Sequence, residues 1–255
     1  MVGIDLSGKC AVVTGASSGI GRATAIVLAA CGAHVIATAR DQARLEETAE
    51  RIRSSNGHVD TIVADLEQAR AIDVIREQTD AFTAEIDALL LPAGHFARSA
   101  FAETTVAELD RLWAVHARAP FLLTQALMPR LRAGSAVLFY SSTVTQVGFA
   151  PYAGYSAVKG AVEAFARALA VELAPQVRVN ILAPGFTKTP MVTDQYEEVP
   201  ELEAAITART PVGFLGGPGT IAHLAAFLCS DLGSYIDGAR LVVDGGWTAQ
   251  GWQQG

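Results

Sequence analysis

The chain has 255 residues, of which 51% are hydrophobic and 18% charged, with a formal net charge of −7. That length and apolar content suit one α/β domain with a substantial core, and the acidic balance argues against nucleic acid or an anionic membrane as a partner. No run of 18 uninterrupted apolar residues reads as a membrane span. The opening, MVGIDLSGKCAVVTG, lacks the basic, apolar and small-residue order of a signal peptide. Cys10, Cys31 and Cys229 are widely separated in apolar contexts. They read as reduced packing residues of a cytoplasmic protein, and no His/Cys spacing suits a metal.

Runs rich in Val, Ile and Leu alternate with longer helical patterns. Strands are expected at Cys10–Thr14, His34–Ala39, Thr61–Ala64, Ala88–Leu91, Ala136–Tyr140, Val177–Leu182 and Leu241–Val243, with helices beginning near Ile20, Gln42, Glu67, Val106, Tyr155 and Thr220. Apolar strands separated by helices predict a Rossmann-type, doubly wound parallel sheet of about seven strands with helices on both faces. Neither a repeat nor a linker interrupts the pattern, so residues 1–255 read as one domain.

The first strand runs into TGASSGIG, with Gly15, Gly19 and Gly21, and a helix opens at once. Glycines there allow a tight turn and a close backbone approach, and the helix N-terminus offers free N–H groups to a phosphate. At the end of the second strand, Ala39 stands where NAD-binding folds tend to place an acid for the ribose 2′-hydroxyl, and Arg40 follows. This favours NADP(H), with Arg44 a possible helper. Asp41 would keep NAD open by reaching back, or would cap the next helix. Asp65 either meets the adenine edge or caps the helix after it.

The stretch Ser141–Phe165 carries the chemistry. Tyr155 and Lys159, four apart on a helix, share a face, and a nearby cation lowers a tyrosine pKa. The hydroxyl of Ser142 could donate to a carbonyl oxygen while the phenol gives or takes its proton. Such a set suits carbonyl/alcohol interconversion.

Together these features resemble the single-domain short-chain dehydrogenase/reductase family over essentially the whole chain. TGASSGIG matches its TGxxxGxG loop and Tyr155-Ser-Ala-Val-Lys159 its YxxxK. Ser142 sits at the expected spacing, RVNILAPG at Arg178–Gly185 matches the segment after the sixth strand, and VDGG at Val243–Gly246 the closing strand. The resemblance implies that Tyr155 is the general acid in reduction, that Lys159 lowers its pKa and binds the nicotinamide ribose, and that Ser142 holds the substrate oxygen. It implies cofactor contacts from Gly15, Ser17, Ser18, Gly19, Ile20, Gly21, Arg40, Asp65, Leu66, Ala93, Gly94, Pro184, Gly185, Thr187 and Thr189, as well as from Tyr155 and Lys159.

Two departures stand out. The family usually has Asn-Asn-Ala-Gly after the fourth strand, where this chain has Leu91-Pro92-Ala93-Gly94. Pro92 lacks an N–H and should not make a central ladder bond. The family's fourth catalytic residue, an asparagine, is replaced by His116. The resemblance implies that this asparagine holds a water linking the lysine to solvent. His116 could take over that role through a ring nitrogen, could titrate and steepen the pH dependence near neutrality, or could only pack and bond a local carbonyl.

Beyond Gly185 the periodicity loosens, with only Leu202–Arg209 helical, and residues 186–215 read as a substrate lid. Phe149, Tyr152, Phe186, Met191, Val192 and Tyr196 could form an apolar wall for a bulky or aromatic carbonyl substrate, though Lys188 and Arg209 could instead meet an acidic group. Trp247 and Trp252 near the chain end, with the family's habit of building tetramers on its last strand, suggest a homotetramer. Two tryptophans folded onto their own subunit are the alternative. The reading is an NADPH-dependent ketoreductase delivering the pro-S hydride, acting on a polyketide or 3-oxoacyl ketone. An oxidative alcohol dehydrogenase and a catalytically weak NADP-binding regulatory protein are the alternatives.

Overall fold

In a computed structural model that describes residues 3–190, 193 and 200–251, the apolar runs pair side by side. β1 (Cys10–Thr14), β2 (His34–Ala39), β3 (His58–Val63), β4 (Ile86–Leu91), β5 (Leu131–Tyr140), β6 (Val177–Pro184) and β7 (Arg240–Val243) form one sheet in the order β3-β2-β1-β4-β5-β6-β7. Every neighbouring pair is parallel. Successive side chains on a strand point to opposite faces, so the central strands feed two cores. Ala11 and Val13 of β1 pack with residues of α1 (Gly19–Ala30), α2 (Gln42–Ser54) and α8 (Pro218–Cys229). Cys10 and Val12 pack on the other face with α3 (Ala71–Phe82), α4 (Val106–Trp113), α5 (Ala119–Leu127) and α6 (Ala153–Leu173). The fold is the Rossmann-type α/β arrangement. Among the described residues, no helix is long and apolar enough to cross a membrane.

The strand order reverses between β1 and β4, which opens a crevice at their C-terminal ends. The two strand exits nearly touch there. A Cβ added to Gly15, whose φ is +64°, would lie 2.8 Å from the Cα of Ala93, and Ala93 N–H donates to Thr14 Oγ1 at 3.2 Å.

Several boundaries differ from expectation for identifiable reasons. The third helix begins at Ala71 and not near Glu67, because Asp65 Oδ1 accepts from Glu67 N–H at 3.1 Å and Gln68 N–H donates to the Asp65 carbonyl at 2.9 Å, spending those residues in turns. β3 covers His58–Val63 rather than Thr61–Ala64. It is an edge strand that tolerates polar residues, and His34 Nε2 lies 2.8 Å from Asp60 Oδ2 across the pair. The helix opening at Val106 is interrupted. Ala114–Arg118 forms one wide turn in which Ala119 N–H bonds the carbonyl of Ala114, and α5 follows. β4 ends at Leu91, leaving Pro92 outside the ladder. The late helix, α7, runs over Pro200–Arg209.

Candidate active site

The glycine loop builds an anion cradle. Ser18 caps α1 without a side-chain bond, and no acidic residue occupies the first turn, so the exposed N–H groups and the positive end of the helix dipole face the crevice. Close packing makes the cradle possible. A Cβ on Gly21 would sit 2.1 Å from the carbonyl oxygen of Gly15. Gly15, Ser17, Ser18, Gly19, Ile20 and Gly21 line a cavity of about 290 Å³ together with Arg40, Asp65, Leu66, Ala93, Gly94 and Thr189. Its shape and free N–H donors fit a dinucleotide. Pro184, Gly185 and Thr187 are placed differently. Pro184 ends β6, Gly185 borders a second cavity, and Thr187 is buried with its hydroxyl donating to the Gly185 carbonyl at 3.1 Å.

At the mouth of this cavity Arg40 Nη1 meets Glu67 Oε1 at 3.3 Å. The pair is exposed enough that it contributes only about 0–1 kcal/mol, so an incoming phosphate can displace the carboxylate. Asp41 caps α2, accepting from Arg44 N–H at 3.0 Å, and its carboxylate also pairs with Arg44 at 3.6 Å. Asp65 lines the cavity while its side chain holds the Glu67 N–H.

Helix α6 brings Tyr155 and Lys159 to the exit of β5, where Ser142 stands. The Lys159 ammonium is buried, donates to the Tyr140 carbonyl at 2.7 Å, and lies 5.6 Å from the centre of the Tyr155 ring. Burial pushes Lys159 down to about 7. Tyr155 departs from the expectation of a lowered pKa. Desolvation raises it well above the usual phenol range, and the Ser142 hydrogen bond only partly opposes this. A protonated phenol beside a serine hydroxyl is an arrangement that can donate a proton to an oxygen placed between them.

The Lys159 shift has a consequence for stability. Between pH 7 and its unfolded value of 10.5, the unfolded chain holds a proton that the folded chain lacks. Stability from this group is therefore present at high pH and is lost as pH falls toward 7, by at most about 1.4 kcal/mol per unit. Urea unfolding of the cofactor-free protein should give a midpoint that rises from pH 7 to 8.5, and the rise should be flatter in Lys159→Met.

His116 sits in the wide turn, 4% exposed. Its Nε2 lies 2.7 Å from the His95 carbonyl and 3.2 Å from the His95 N–H. The shorter contact assigns the proton to Nε2. Burial, and then Lys159, hold the ring well below its usual pKa. The imidazole is thus neutral near pH 7, which speaks against the titration considered from the sequence, and it bonds a local carbonyl. Its ring stands edge-on to Tyr155 at 5.4 Å, and it fills the space that a Cβ on Gly94 would need, 2.3 Å from Cε1.

A second cavity of about 100 Å³ opens on Ser142. Phe149, Tyr152 and Phe186 line it, as do Phe96, Val144, Val147, Leu202, Ile206 and Trp247, which the sequence reading did not assign to the site. Met191, Val192 and Tyr196 lie outside the described residues. Trp247 corrects the expectation of an interface residue. It is 4% exposed within its own chain, 5.4 Å from Phe186 and 5.8 Å from Phe149, with the Arg209 guanidinium 4.2 Å over its ring. Trp252 lies outside the described residues. Lys188 pairs with Glu203 at 2.5 Å, so both cations considered for an acidic substrate have partners. The missed residues had weak signals, since Phe96 and Trp247 follow strand exits and Leu202 and Ile206 are one helical turn apart. Among the described residues, no cluster of three or more His, Cys, Asp or Glu side chains could hold a metal ion.

Comparison with known proteins agrees with this geometry. A family model described as enoyl-(acyl carrier protein) reductase matches residues 15–248. Galactitol 2-dehydrogenase (L-tagatose-forming) of Cereibacter sphaeroides is 38% identical over 248 residues, 95% of this chain and 96% of that protein. A solved short-chain glucose/ribitol dehydrogenase from Brucella melitensis superposes with a TM-score of 0.90 at 32% identity, covering 95% of this chain and 98% of that one. The angucycline C-6 ketoreductase LanV with bound NADP does so with a TM-score of 0.90 at 32% identity, covering 96% and 98%. The chain belongs to the short-chain dehydrogenase/reductase family of oxidoreductases.

Proposed function

We propose that this oxidoreductase is an NADPH-dependent ketoreductase that converts a bulky, largely apolar ketone, of polyketide or 3-oxoacyl type, into a secondary alcohol. The observation that carries the reading is the aromatic cavity opening on Ser142, with Phe96 on its wall and 5.3 Å from the Tyr155 ring. The dinucleotide, when bound, supplies the hydride. Ser142 holds the substrate oxygen by donating a hydrogen bond, Tyr155 delivers the proton to that oxygen, and Lys159, which donates to the Tyr140 carbonyl, would also hold the ribose hydroxyls. The anion cradle at α1 would hold the pyrophosphate, and Arg40, freed from Glu67, would meet the 2′-phosphate. The NADP-bound angucycline ketoreductase among its structural relatives supports both the cofactor and the substrate class.

An apolar wall that excludes water suits an aromatic ketone better than a polyol, which would leave its hydroxyls unpaired there. Leu202 and Ile206 of α7 lie on the wall with Phe186, which supports reading this part of the chain as a substrate lid. Phe101, Val106 and Trp113 are exposed around α4 and suit a subunit contact in a homotetramer, and the free thiols of Cys10, Cys31 and Cys229 suit the cytoplasm.

The test is cofactor consumption with NADPH or NADH over a panel from small 3-oxoesters to bicyclic aromatic ketones, alongside oxidation of galactitol. NADPH and the aromatic ketones should be preferred. Arg40→Ala should weaken NADPH binding by about 10- to 100-fold and leave NADH unchanged, the loss of charge-assisted hydrogen bonds. A preference for NADH, or for galactitol oxidation, would overturn the proposal.

A further inference from the structure

Helix α6 presents Tyr155, Lys159 and Glu163 at intervals of four, along one stripe facing the exit of β5. Three consecutive residues of that exit are each held. Lys159 Nζ donates to the Tyr140 carbonyl at 2.7 Å, and Ser141 Oγ donates to Glu163 Oε1 at 2.6 Å. The carbonyl of Ser142 accepts from Arg240 Nη2 at 3.2 Å and from the Thr145 N–H at 3.3 Å, and lies 2.8 Å from Thr145 Oγ1, which Arg240 also holds. Arg240 opens β7, which neighbours β6 and not β5, so its side chain crosses a strand to reach this point.

The guanidinium makes four hydrogen bonds around the turn. Its Nε donates to Glu163 Oε1 at 2.8 Å, its Nη1 to Gln146 Oε1 at 3.0 Å, and its Nη2 also to Thr145 Oγ1 at 3.0 Å. Thr145 Oγ1 lies 2.6 Å from the same Glu163 oxygen. Desolvation works against the Glu163 carboxylate, yet its bonds from Arg240, Ser141 and Thr145 hold it below its ordinary pKa, so the pair is ionised.

A partly buried ion pair such as this one is a poor stabiliser, because desolvation cancels much of the attraction. What this pair does supply is direction. Apart from its bond with the Tyr155 hydroxyl, Ser142 Oγ has one long contact, 3.4 Å from the Val144 N–H, so its aim at that phenol depends on where its backbone is held. We propose that Glu163 and Arg240 are a positioning pair for Ser142, clamping its carbonyl and tying the strand exit to the helix that carries Tyr155. The inference rests on the roles given above to Ser142 and Tyr155. It adds a residue from the last strand, which lies outside the Ser/Tyr/Lys set, to the machinery that orients the substrate oxygen.

The test uses the full-length protein, NADPH and a bicyclic aromatic ketone such as 1-tetralone, with Arg240→Gln, Arg240→Lys, Ser142→Ala and the corresponding double variants. A donor displaced by about 1 Å costs on the order of 100-fold, so Arg240→Gln should lower kcat by about 10- to 100-fold. The Kd for NADPH, read by cofactor fluorescence, should stay within about twofold, because the cradle residues are not touched. In the Ser142→Ala background, Arg240→Gln should lower kcat by less than about twofold further, since residues acting as a unit are not additive. Should Arg240→Gln fail to fold, Arg240→Lys carries the same comparison, keeping the charge beside Glu163 without the fork that reaches Ser142. An unchanged kcat, or an equal loss with and without the Ser142 hydroxyl, would overturn the inference. Wild-type protein that turns over no ketone would instead defeat the functional reading, and the clamp with it.

Discussion

Tyr155→Phe should lower kcat for ketone reduction by roughly 10²- to 10⁴-fold, the usual contribution of a positioned proton donor, with NADPH binding little changed. The reason is local. An ordinary phenol already holds its proton at neutral pH, desolvation favours that form further, and the Ser142 hydroxyl is hydrogen-bonded to it. Phenylalanine keeps the ring contacts with Phe96 and His116, so the fold and the aromatic wall should survive and only the proton is lost. Fluorescence titration with NADPH beside steady-state kinetics separates the two effects. Tight binding without turnover fits a lost acid, whereas turnover close to wild type would mean that the proton comes from elsewhere.

Gly21→Ala should abolish cofactor binding almost completely. The added methyl would stand 2.1 Å from the Gly15 carbonyl oxygen, and both groups are backbone-bound, so neither can rotate aside. Gly15 is itself pinned, at φ +64° and against Ala93. The loop must open, at about 1–3 kcal/mol of overpacking, and the cradle formed by the α1 N-terminus goes with it. The Kd for NADPH should rise by more than about 100-fold, the loss of several charge-assisted bonds at once. A melting temperature measured without cofactor should also fall. Retained NADPH affinity would mean that the phosphates are held elsewhere.

The sheet was legible because its strands are nearly pure apolar runs. The glycine loop was legible because TGASSGIG combines a strand exit, tight turns and a helix start. The edge of the sheet was less so. His58 and Asp60 interrupt the apolar pattern of β3, since an edge strand can satisfy them with His34 and solvent. The catalytic stripe was half visible. The interval from Tyr155 to Lys159 stood out, but Glu163, one further turn along, carried no signal until Arg240 arrived from a strand 77 residues away. Trp247 was misjudged for the same reason. Its partners Phe149, Phe186 and Arg209 come from three separate segments, and only the folded chain brings them together. For Tyr155, the sequence suggested the cation beside it but not the desolvation of its hydroxyl, which acts in the opposite direction.

The measurement that bears most directly on the central claim follows the hydride itself. NADPH deuterated at the pro-S position of the nicotinamide would be incubated with the protein and 1-tetralone, and the alcohol analysed by mass spectrometry and NMR. Deuterium on the carbinol carbon is the predicted result, and it should be absent when Tyr155→Phe is used over the same time. An unlabelled alcohol, or no alcohol from any ketone in the presence of bound NADPH, would contradict the account.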